Sequence, residues 1–99
     1  MPIVHVVATF TAAAGREDEL EKVLLEMLEP TRAEAGCIRY DLLRSLPGVS
    51  PVEFTFVEEW ESIEALDAHG RTPHLQGLRP KVQGLAEGPP RVVRYFQAG

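Results

Sequence analysis

One stretch, residues 54–75, constrains the fold most because its hydrophobic period changes from that of a strand to that of a helix. Alternate residues in its first half share one face of a β-strand: Phe54, Phe56, Glu58 and Trp60. Ser62 is typical of a helix N-cap, and Gly70 is placed to end that helix in a left-handed conformation. Thr72 as N-cap and Pro73 at the first helical position predict a second helix. The stretch therefore predicts one strand followed at once by two helices.

The N-terminal third of the chain predicts a strand and then a helix. Residues 3–10 are rich in β-branched side chains and apolar on both faces, which is typical of a strand covered on both sides. Apolar residues at helical spacing predict a helix from residue 17 to residue 35, with acidic residues in its first turn. We expect a kink at Pro30 and a stop at Gly36.

The remaining segments predict three more strands and another helix. Residues 37–44 and 52–60 predict two strands of a hairpin around a turn that is rich in proline. In the first of these strands we expect one face to carry Ile38, Tyr40 and Leu42. Apolar spacing predicts a helix through Leu75, Leu78, Val82 and Leu85 with a kink at Pro80, and residues 91–97 predict the last strand.

The order β-α-β-β-α-β predicts an α+β fold of the ferredoxin-like kind, with a four-stranded antiparallel sheet. A chain of 99 residues makes one domain, residues 1–99. The helices would cover one face of the sheet, while three strands are apolar on both faces. A second copy of the chain that covers the other face would bury this apolar surface, so we expect a homodimer.

Composition excludes several classes of partner and cofactor. The formal net charge is −5 and no basic run occurs, which disfavours a nucleic-acid partner. No apolar run approaches membrane-spanning length and no secretory leader is visible, so we expect a cytoplasmic protein with no membrane partner. Cys37 is the single cysteine, and no Cys/His spacing predicts a metal site. No glycine-rich phosphate loop follows a strand, so we expect no cofactor.

Three motifs carry a resemblance to a known family. They are the run from Gly36 to Asp41, the pair Glu58-x-Trp60, and Ala68-His69 followed by Thr72-Pro73-His74. With their flanking residues, EPTRAEAGCIRYDL and EEWESIEALDAHGRTPHLQ, they are similar to the antibiotic biosynthesis monooxygenase domain family. The resemblance spans nearly the whole chain and implies a dimeric α+β barrel.

The resemblance also implies a range of activities. The family includes cofactor-free oxygenases of phenols and quinols, haem-degrading enzymes, and an isomerase of a phosphorylated signal molecule. The quinol-oxygenase branch and the isomerase resemble this chain best, because both carry a His-x-x-Thr-Pro-His stretch like residues 69–74. The haem-degrading branch uses Asn, Trp and His where Ala8 or Thr9, His69 and Arg79 stand here, which argues against haem.

Two histidines are the candidate catalytic residues. His74 lies at the second position of a predicted helix, where the dipole disfavours the cation, so it should stay neutral and able to accept a proton. His69 lies at the end of the preceding helix, where the dipole favours its cation. His74 is therefore the favoured base. Each also has a structural interpretation, His74 as a capping residue and His69 as a core-edge or dimer-contact residue.

Four further residues are candidates for substrate binding. Trp60 could stack on a flat substrate or belong to the core. Glu58 shares its face and needs a partner such as His or Arg unless it lies at a wet edge. Tyr40 could hydrogen-bond a substrate oxygen or only pack, and Arg71 could attract an anionic substrate or only be solvated.

We therefore hold a leading hypothesis and two alternatives. The leading one is a cofactor-independent monooxygenase that oxidises a small aromatic quinol or phenol with molecular oxygen, using an imidazole as base. The first alternative is an isomerase of a small carbonyl or sugar-phosphate-like signal molecule. The second is a non-catalytic dimeric ligand-binding module. Oxygen consumption separates the first two, and binding without turnover would indicate the third.

Overall fold

A computed structural model describes residues 2–99 and shows one antiparallel four-stranded sheet with strand order β2-β3-β1-β4. Helices cover one face of this sheet, so the predicted ferredoxin-like α+β fold is confirmed. The first predicted crossover helix is split in two, and the second crossover consists of two helices, as predicted. The elements in chain order are β1 (Val4–Thr11), α1 (Glu17–Leu25), α2 (Leu28–Arg32), β2 (Cys37–Arg44), β3 (Glu53–Trp60), α3 (Ile63–Gly70), α4 (Pro73–Val82) and β4 (Arg91–Tyr95).

The first crossover breaks earlier than the sequence predicts. We expected a kink at Pro30, but α1 ends at Leu25 and Pro30 is the third residue of α2. A proline ring clashes with the carbonyl group four residues before it, which here belongs to Glu26. In a continuous helix through Glu26 and Pro30 this clash would cause a kink or a break. The first turn of a new helix accepts proline, because its N–H groups have no partner there.

The turn between α3 and α4 also differs from the prediction. Gly70 is not left-handed but is the last residue of α3, and the C-cap Arg71 keeps a right-handed φ of −99°. The chain turns instead on Thr72, whose Oγ1 donates to the His69 carbonyl oxygen at 2.8 Å. The predicted caps are confirmed, because Ser62 Oγ accepts from Ala65 N at 3.1 Å and Thr72 Oγ1 accepts from the N–H of the third residue of α4 at 3.4 Å.

Gly36 joins α2 to β2 and brings this corner against α3. Its φ is +86°, a conformation in which glycine has no steric cost. A Cβ added there would lie 2.6 Å from the Cβ of Ala65. The Gly36 carbonyl oxygen accepts from Glu61 N at 2.9 Å. The close approach fixes the end of α2 beside the start of α3, and so positions Glu34 near the two imidazoles.

The register of the sheet sets the face that the helices cover. A shift between Cys37 and Arg39 takes Ile38 out of the alternation and leaves it 48% exposed, so Ile38 does not share a face with Tyr40 as predicted. Two rows then cross all four strands on the helix-covered face. They are Tyr40–Glu58–Val6–Arg94 and Leu42–Phe56–Ala8–Val92.

The C-terminal elements are shorter than predicted. α4 contains Pro80 and ends at Val82, and the buried Leu85 lies in the turn that follows. β4 ends at Tyr95 rather than at residue 97. A missing N–H and the fixed φ of Pro80 weaken the last turn of α4, which explains why the helix stops soon after it.

The other face of the sheet carries a central apolar row. Val57 pairs with Val7, which pairs with Val93, and these side chains are half-buried in the single chain. The predicted homodimer stays a prediction. Within residues 2–99, every helix is too short or too polar to cross a membrane.

Candidate active site

A cleft of about 880 Å³ lies between the helix-covered face of the sheet and α4. Its floor includes the central strand residues Val6 and Ala8, which are apolar and small. Side chains of α4, among them Leu75 and Leu78, line the opposite wall. The volume lies within the usual range for small-molecule sites, and the combination of apolar walls with a few polar groups is typical of them.

Glu34 connects the two histidines at one wall of this cleft. Its Oε2 lies 2.7 Å from His69 Nδ1 and 2.7 Å from His74 Nε2. A carboxylate oxygen can only accept hydrogen bonds, so both contacting nitrogens are donors. In a neutral His69 the proton is therefore on Nδ1, and the lone pair that can accept another proton is on Nε2.

The His69 ring is enclosed by aromatic side chains. Its centroid lies 4.7 Å from that of Trp60 and 5.7 Å from that of Tyr40, and His69 is only 4% exposed. Burial lowers the pKa of His69, although the hydrogen bond from Nδ1 to Glu34 opposes this shift. The lowered pKa is opposite in direction to the effect expected from the helix end, and its largest cause is desolvation by burial.

Glu58 is a buried carboxyl group inside the cleft. Its Oε1 accepts a hydrogen bond of 2.9 Å from Trp60 Nε1, so its partner is the indole rather than the predicted His or Arg. Burial raises the pKa of Glu58 to about 7, and the indole bond opposes this only in part. Near neutral pH, Glu58 is therefore protonated in part of the molecules, where it can donate a proton, and ionised in the rest, where it can accept one.

Tyr40 lines the cleft beside these groups. Its ring stacks on Phe56 with centroids 4.7 Å apart and an interplanar angle of 22°. Burial raises the pKa of Tyr40 well above its ordinary value, so the hydroxyl stays protonated. A neutral phenol at this position can donate a hydrogen bond to an oxygen atom of a bound molecule.

Comparison with known proteins identifies the family. The family model described as "Antibiotic biosynthesis monooxygenase" matches residues 3–81, which is most of the chain. The chain belongs to this family. The match confirms the resemblance carried by the motifs around Gly36, Trp60 and His74, and it supports a monooxygenase-like function at the level of the family.

Two relatives of this family member have names that describe them as monooxygenases. It is 38% identical over 90 residues to "Putative monooxygenase Rv0793" of Mycobacterium tuberculosis, covering 91% of this chain and 86% of that one. It is 33% identical over 73 residues to "Probable quinol monooxygenase YgiN" of Escherichia coli K12, covering 68% and 66%.

Solved structures of similar proteins share the whole fold. The Rv0793 structure superposes with a TM-score of 0.87 at 33% identity, covering 98% of this chain and 96% of that one. PA3566 from Pseudomonas aeruginosa superposes with a TM-score of 0.88 at 29% identity, covering 100% and 97%. The agreement extends over every element that forms the cleft.

The structure brings three of the six predicted site residues of this family member into the cleft. They are His69, Tyr40 and Glu58. His74 contacts Glu34 from outside the residues that line the cleft. Trp60 is fully buried behind Glu58, and Arg71 is exposed at the turn between α3 and α4; neither lines the cleft.

The sequence did not single out Glu34, because it stands among other charged residues in a segment that looks like a solvated helix face. The available signal was indirect. Two histidines near consecutive helix ends need a hydrogen-bond acceptor if both rings are to be ordered. Glu34 lies two residues before Gly36, the glycine that brings α2 against α3. Arg79 and Arg94 were also missed as cleft residues.

Within residues 2–99, one group of side chains could also hold a metal ion: Glu34, His69 and His74. Their donor atoms lie within 4.8 Å of one another. In a zinc site, however, each donor contacts the ion at about 2.0–2.2 Å and none contacts another. Here the two nitrogens flank one oxygen at hydrogen-bond length, so the donors would have to rearrange to accept an ion.

Proposed function

We propose that this family member is a cofactor-independent monooxygenase that oxidises a small aromatic quinol or phenol with molecular oxygen. The observation that carries the proposal is the contact between Glu34 Oε2 and His69 Nδ1, which leaves Nε2 of a cleft-lining imidazole as the free base. The name of one relative, "Probable quinol monooxygenase YgiN", supports the substrate class.

In this proposal the first step is removal of the substrate's hydroxyl proton by His69 Nε2. Glu34 holds the ring in the tautomer that can accept this proton and stabilises the imidazolium that forms. His74 donates to the same carboxylate oxygen and so restrains Glu34. The sequence favoured His74 as base, but only His69 lines the cleft, so the proposal assigns the base to His69.

The substrate itself supplies the electrons in the second step. An electron-rich phenolate reduces oxygen, and one oxygen atom bonds to a ring carbon. The ring hydrogen and the hydroxyl hydrogen leave with the other oxygen atom as water, so a phenol becomes a quinone and a quinol becomes a hydroxyquinone. Atoms and electrons balance without flavin, haem or metal, and we propose that none is needed.

The remaining polar groups of the cleft act on the developing charge. We assign the neutral hydroxyl of Tyr40 and the protonated fraction of Glu58 as hydrogen-bond donors to the substrate oxygen. Trp60 holds Glu58 in place through its indole N–H. Arg71 has no role in this mechanism because it is exposed and lies outside the cleft.

The direct test is oxygen uptake with a panel of quinols and phenols, by protein that has been treated with a chelator and given no flavin. With ¹⁸O₂ we expect one labelled oxygen atom in the organic product and one in water. His69→Gln should lower the rate of uptake by about 10²-fold or more without loss of secondary structure by circular dichroism. A product without label, or turnover that requires added metal or flavin, would overturn the proposal.

A second candidate is an isomerase, favoured by one specific pair of groups. His69 and Glu58 line the same cleft, with the pKa of His69 lowered and that of Glu58 raised to about 7. A neutral base and a neutral acid therefore coexist near pH 7, which suits proton transfer beside a carbonyl group. Turnover without oxygen, with solvent deuterium in the product, would favour this candidate.

A further inference from the structure

Tyr40 and Arg94 lie at opposite ends of the cleft floor, on the two edge strands β2 and β4 of the sheet. We propose that the substrate carries an anionic group, a carboxylate or a phosphate, that binds Arg79 and Arg94 while its hydroxyl reaches His69. The proposal names the substrate class for the oxidation proposed above and rests on that function. Arg79 is on α4 and Arg94 is on β4, and both line the cleft.

The register of the sheet gives the distance between the two ends. Tyr40 pairs with Glu58, Glu58 with Val6, and Val6 with Arg94, so one row runs from edge strand β2 to edge strand β4. Three inter-strand steps of about 4.8 Å place the Cα atoms of Tyr40 and Arg94 about 14 Å apart. Both side chains project from the face that the helices cover, because they share it with the buried Val6.

The charge of the cleft is opposite to the charge of the chain. The whole chain has a formal net charge of −5. Among residues 2–99, the Arg, Lys, Asp and Glu side chains that line the cleft are two arginines, Arg79 and Arg94, and one carboxyl group, Glu58. In the row, Glu58 is two strands away from Arg94, and it is partly protonated near pH 7. This local excess of positive charge raises the concentration of anions at the cleft, although the whole chain is acidic.

Neither arginine is neutralised strongly within the chain. Arg94 Nη1 approaches Asp67 Oδ1 only to 3.5 Å, and both side chains are about half exposed, so this pair is weak. Arg79 takes part in none of the ion pairs formed among residues 2–99. Planar guanidinium groups bind carboxylate and phosphate oxygens in pairs, so both arginines are available for an anionic ligand.

The floor between the two ends suits a flat ring system. Val6 and Ala8 occupy its centre, and Phe56 lies beside Ala8 in the next row. These side chains offer no hydrogen bond, so only apolar ligand atoms are matched there. The volume of about 880 Å³ is near the upper part of the usual range for small ligands, which favours a fused ring system over a single ring.

Calorimetric titration with three probes that have no ring hydroxyl tests the proposal without turnover. The probes are 2-naphthoate, 2-naphthyl phosphate and the neutral 2-naphthylmethanol. We expect at least one anionic probe to bind about a hundredfold more tightly than the neutral one, as two charge-assisted contacts of about tenfold each provide. Arg79→Gln and Arg94→Gln should each remove about tenfold of this affinity and leave the neutral probe unchanged.

Arg71→Gln is the matched control, because Arg71 is an exposed arginine outside the cleft. Equal binding of charged and neutral probes, or an equal loss in Arg71→Gln, would overturn the anion site. The ratio between the carboxylate and phosphate probes identifies the anion. If anionic probes bind as expected but no phenol or quinol consumes oxygen, the anion site stands and the proposed oxidation fails.

Discussion

Glu34 Oε2 and His69 Nδ1 are 2.7 Å apart, although the two residues are separated by 35 positions in the chain. The contact depends on the close packing of Gly36 against Ala65, which brings the end of α2 beside α3. It joins a carboxylate to an imidazole whose other nitrogen has no hydrogen-bond partner among residues 2–99. This is the arrangement in which a base is oriented by a third group.

Glu34→Gln should lower kcat by about 10- to 100-fold, because a neutral amide neither fixes the tautomer of His69 nor stabilises its cation. The carboxylate favours protonated His69, so its loss should lower the pKa of His69 further. Activity that needs neutral His69 rises with pH through this pKa, so the acidic limb of the pH–rate profile should move to lower pH. Oxygen uptake between pH 5 and 8 measures both effects.

Glu29→Gln is the control for this measurement, because Glu29 is an exposed carboxylate on α2. It should change neither the rate nor the position of the limb. A Glu34→Gln enzyme with a reduced rate but an unmoved limb would indicate a purely structural role for Glu34.

We expect substitution of His69 to lower kcat more than substitution of His74, although the sequence favours His74 as the base. His69→Gln should lower kcat by about 10²-fold or more, as expected for loss of a positioned base. His74→Gln should cost less, because His74 acts on the site only through Glu34. Single-turnover rates with folded variants give the comparison. A larger loss for His74→Gln would return the base to His74.

The fold was predictable to the level of element order because periodicity and capping residues act locally. Ser62 and Thr72 cap the helices as predicted, and the strands fall within a few residues of the predicted limits. The position of the break in the first crossover was also within reach, since the ring of Pro30 disfavours a hydrogen-bonded helical turn that includes the carbonyl group of residue 26.

The site was less predictable because it depends on contacts between distant segments. The helix dipole is a local feature, and the dipole alone predicts that His69 favours its cation. The burial of His69 by Trp60 and Tyr40, which lowers its pKa, depends on the tertiary fold and cannot be read from the sequence. Glu34 has no local pattern that separates it from the surface acids of α1 and α2. The row that joins Tyr40 to Arg94 appears only once the strand order and register are known.

The pH dependence of stability should reveal the buried carboxyl group of Glu58. Its pKa is raised to about 7 in the folded chain, from an ordinary value of 4.5. The folded state therefore binds the proton more tightly, so this contribution to stability is complete below pH 4.5 and is lost as the pH rises through about 7. The rise in pKa from 4.5 to about 7 corresponds to roughly 3 kcal/mol of folding stability.

Glu58→Gln should therefore lose less stability than the unmodified chain when the pH is raised from 5 to 8. Urea denaturation at both values measures the difference, and it also cancels the contribution of His69, which both proteins share. Glu87→Gln, a change at an exposed residue, should follow the unmodified chain. Equal pH dependence in Glu58→Gln and Glu87→Gln would show that Glu58 titrates normally.

Gly36→Ala should destabilise the fold by more than Gly48→Ala. Both glycines have positive φ values, +86° and +96°, so each alanine costs about 1–2 kcal/mol of backbone strain. Only at Gly36 does the new Cβ also meet another atom, the Cβ of Ala65 at 2.6 Å, whereas nothing lies within 4 Å at Gly48. Gly36→Ala should also reduce activity by displacing Glu34. Equal melting temperatures of the two variants would contradict this account.

The last prediction concerns the face of the sheet that the helices leave open. Val7 lies at its centre, paired with Val57 on one side and Val93 on the other, and we expect a second copy of the chain to cover this row. Sedimentation equilibrium at micromolar concentration should give about twice the mass of one chain.

Val7→Asp places a charge at the centre of this row and should shift the protein to a monomer. Leu25→Asp, at an exposed apolar residue of α1, should stay dimeric. A monomeric unmodified chain, or dissociation caused by Leu25→Asp and not by Val7→Asp, would place the interface elsewhere or remove it.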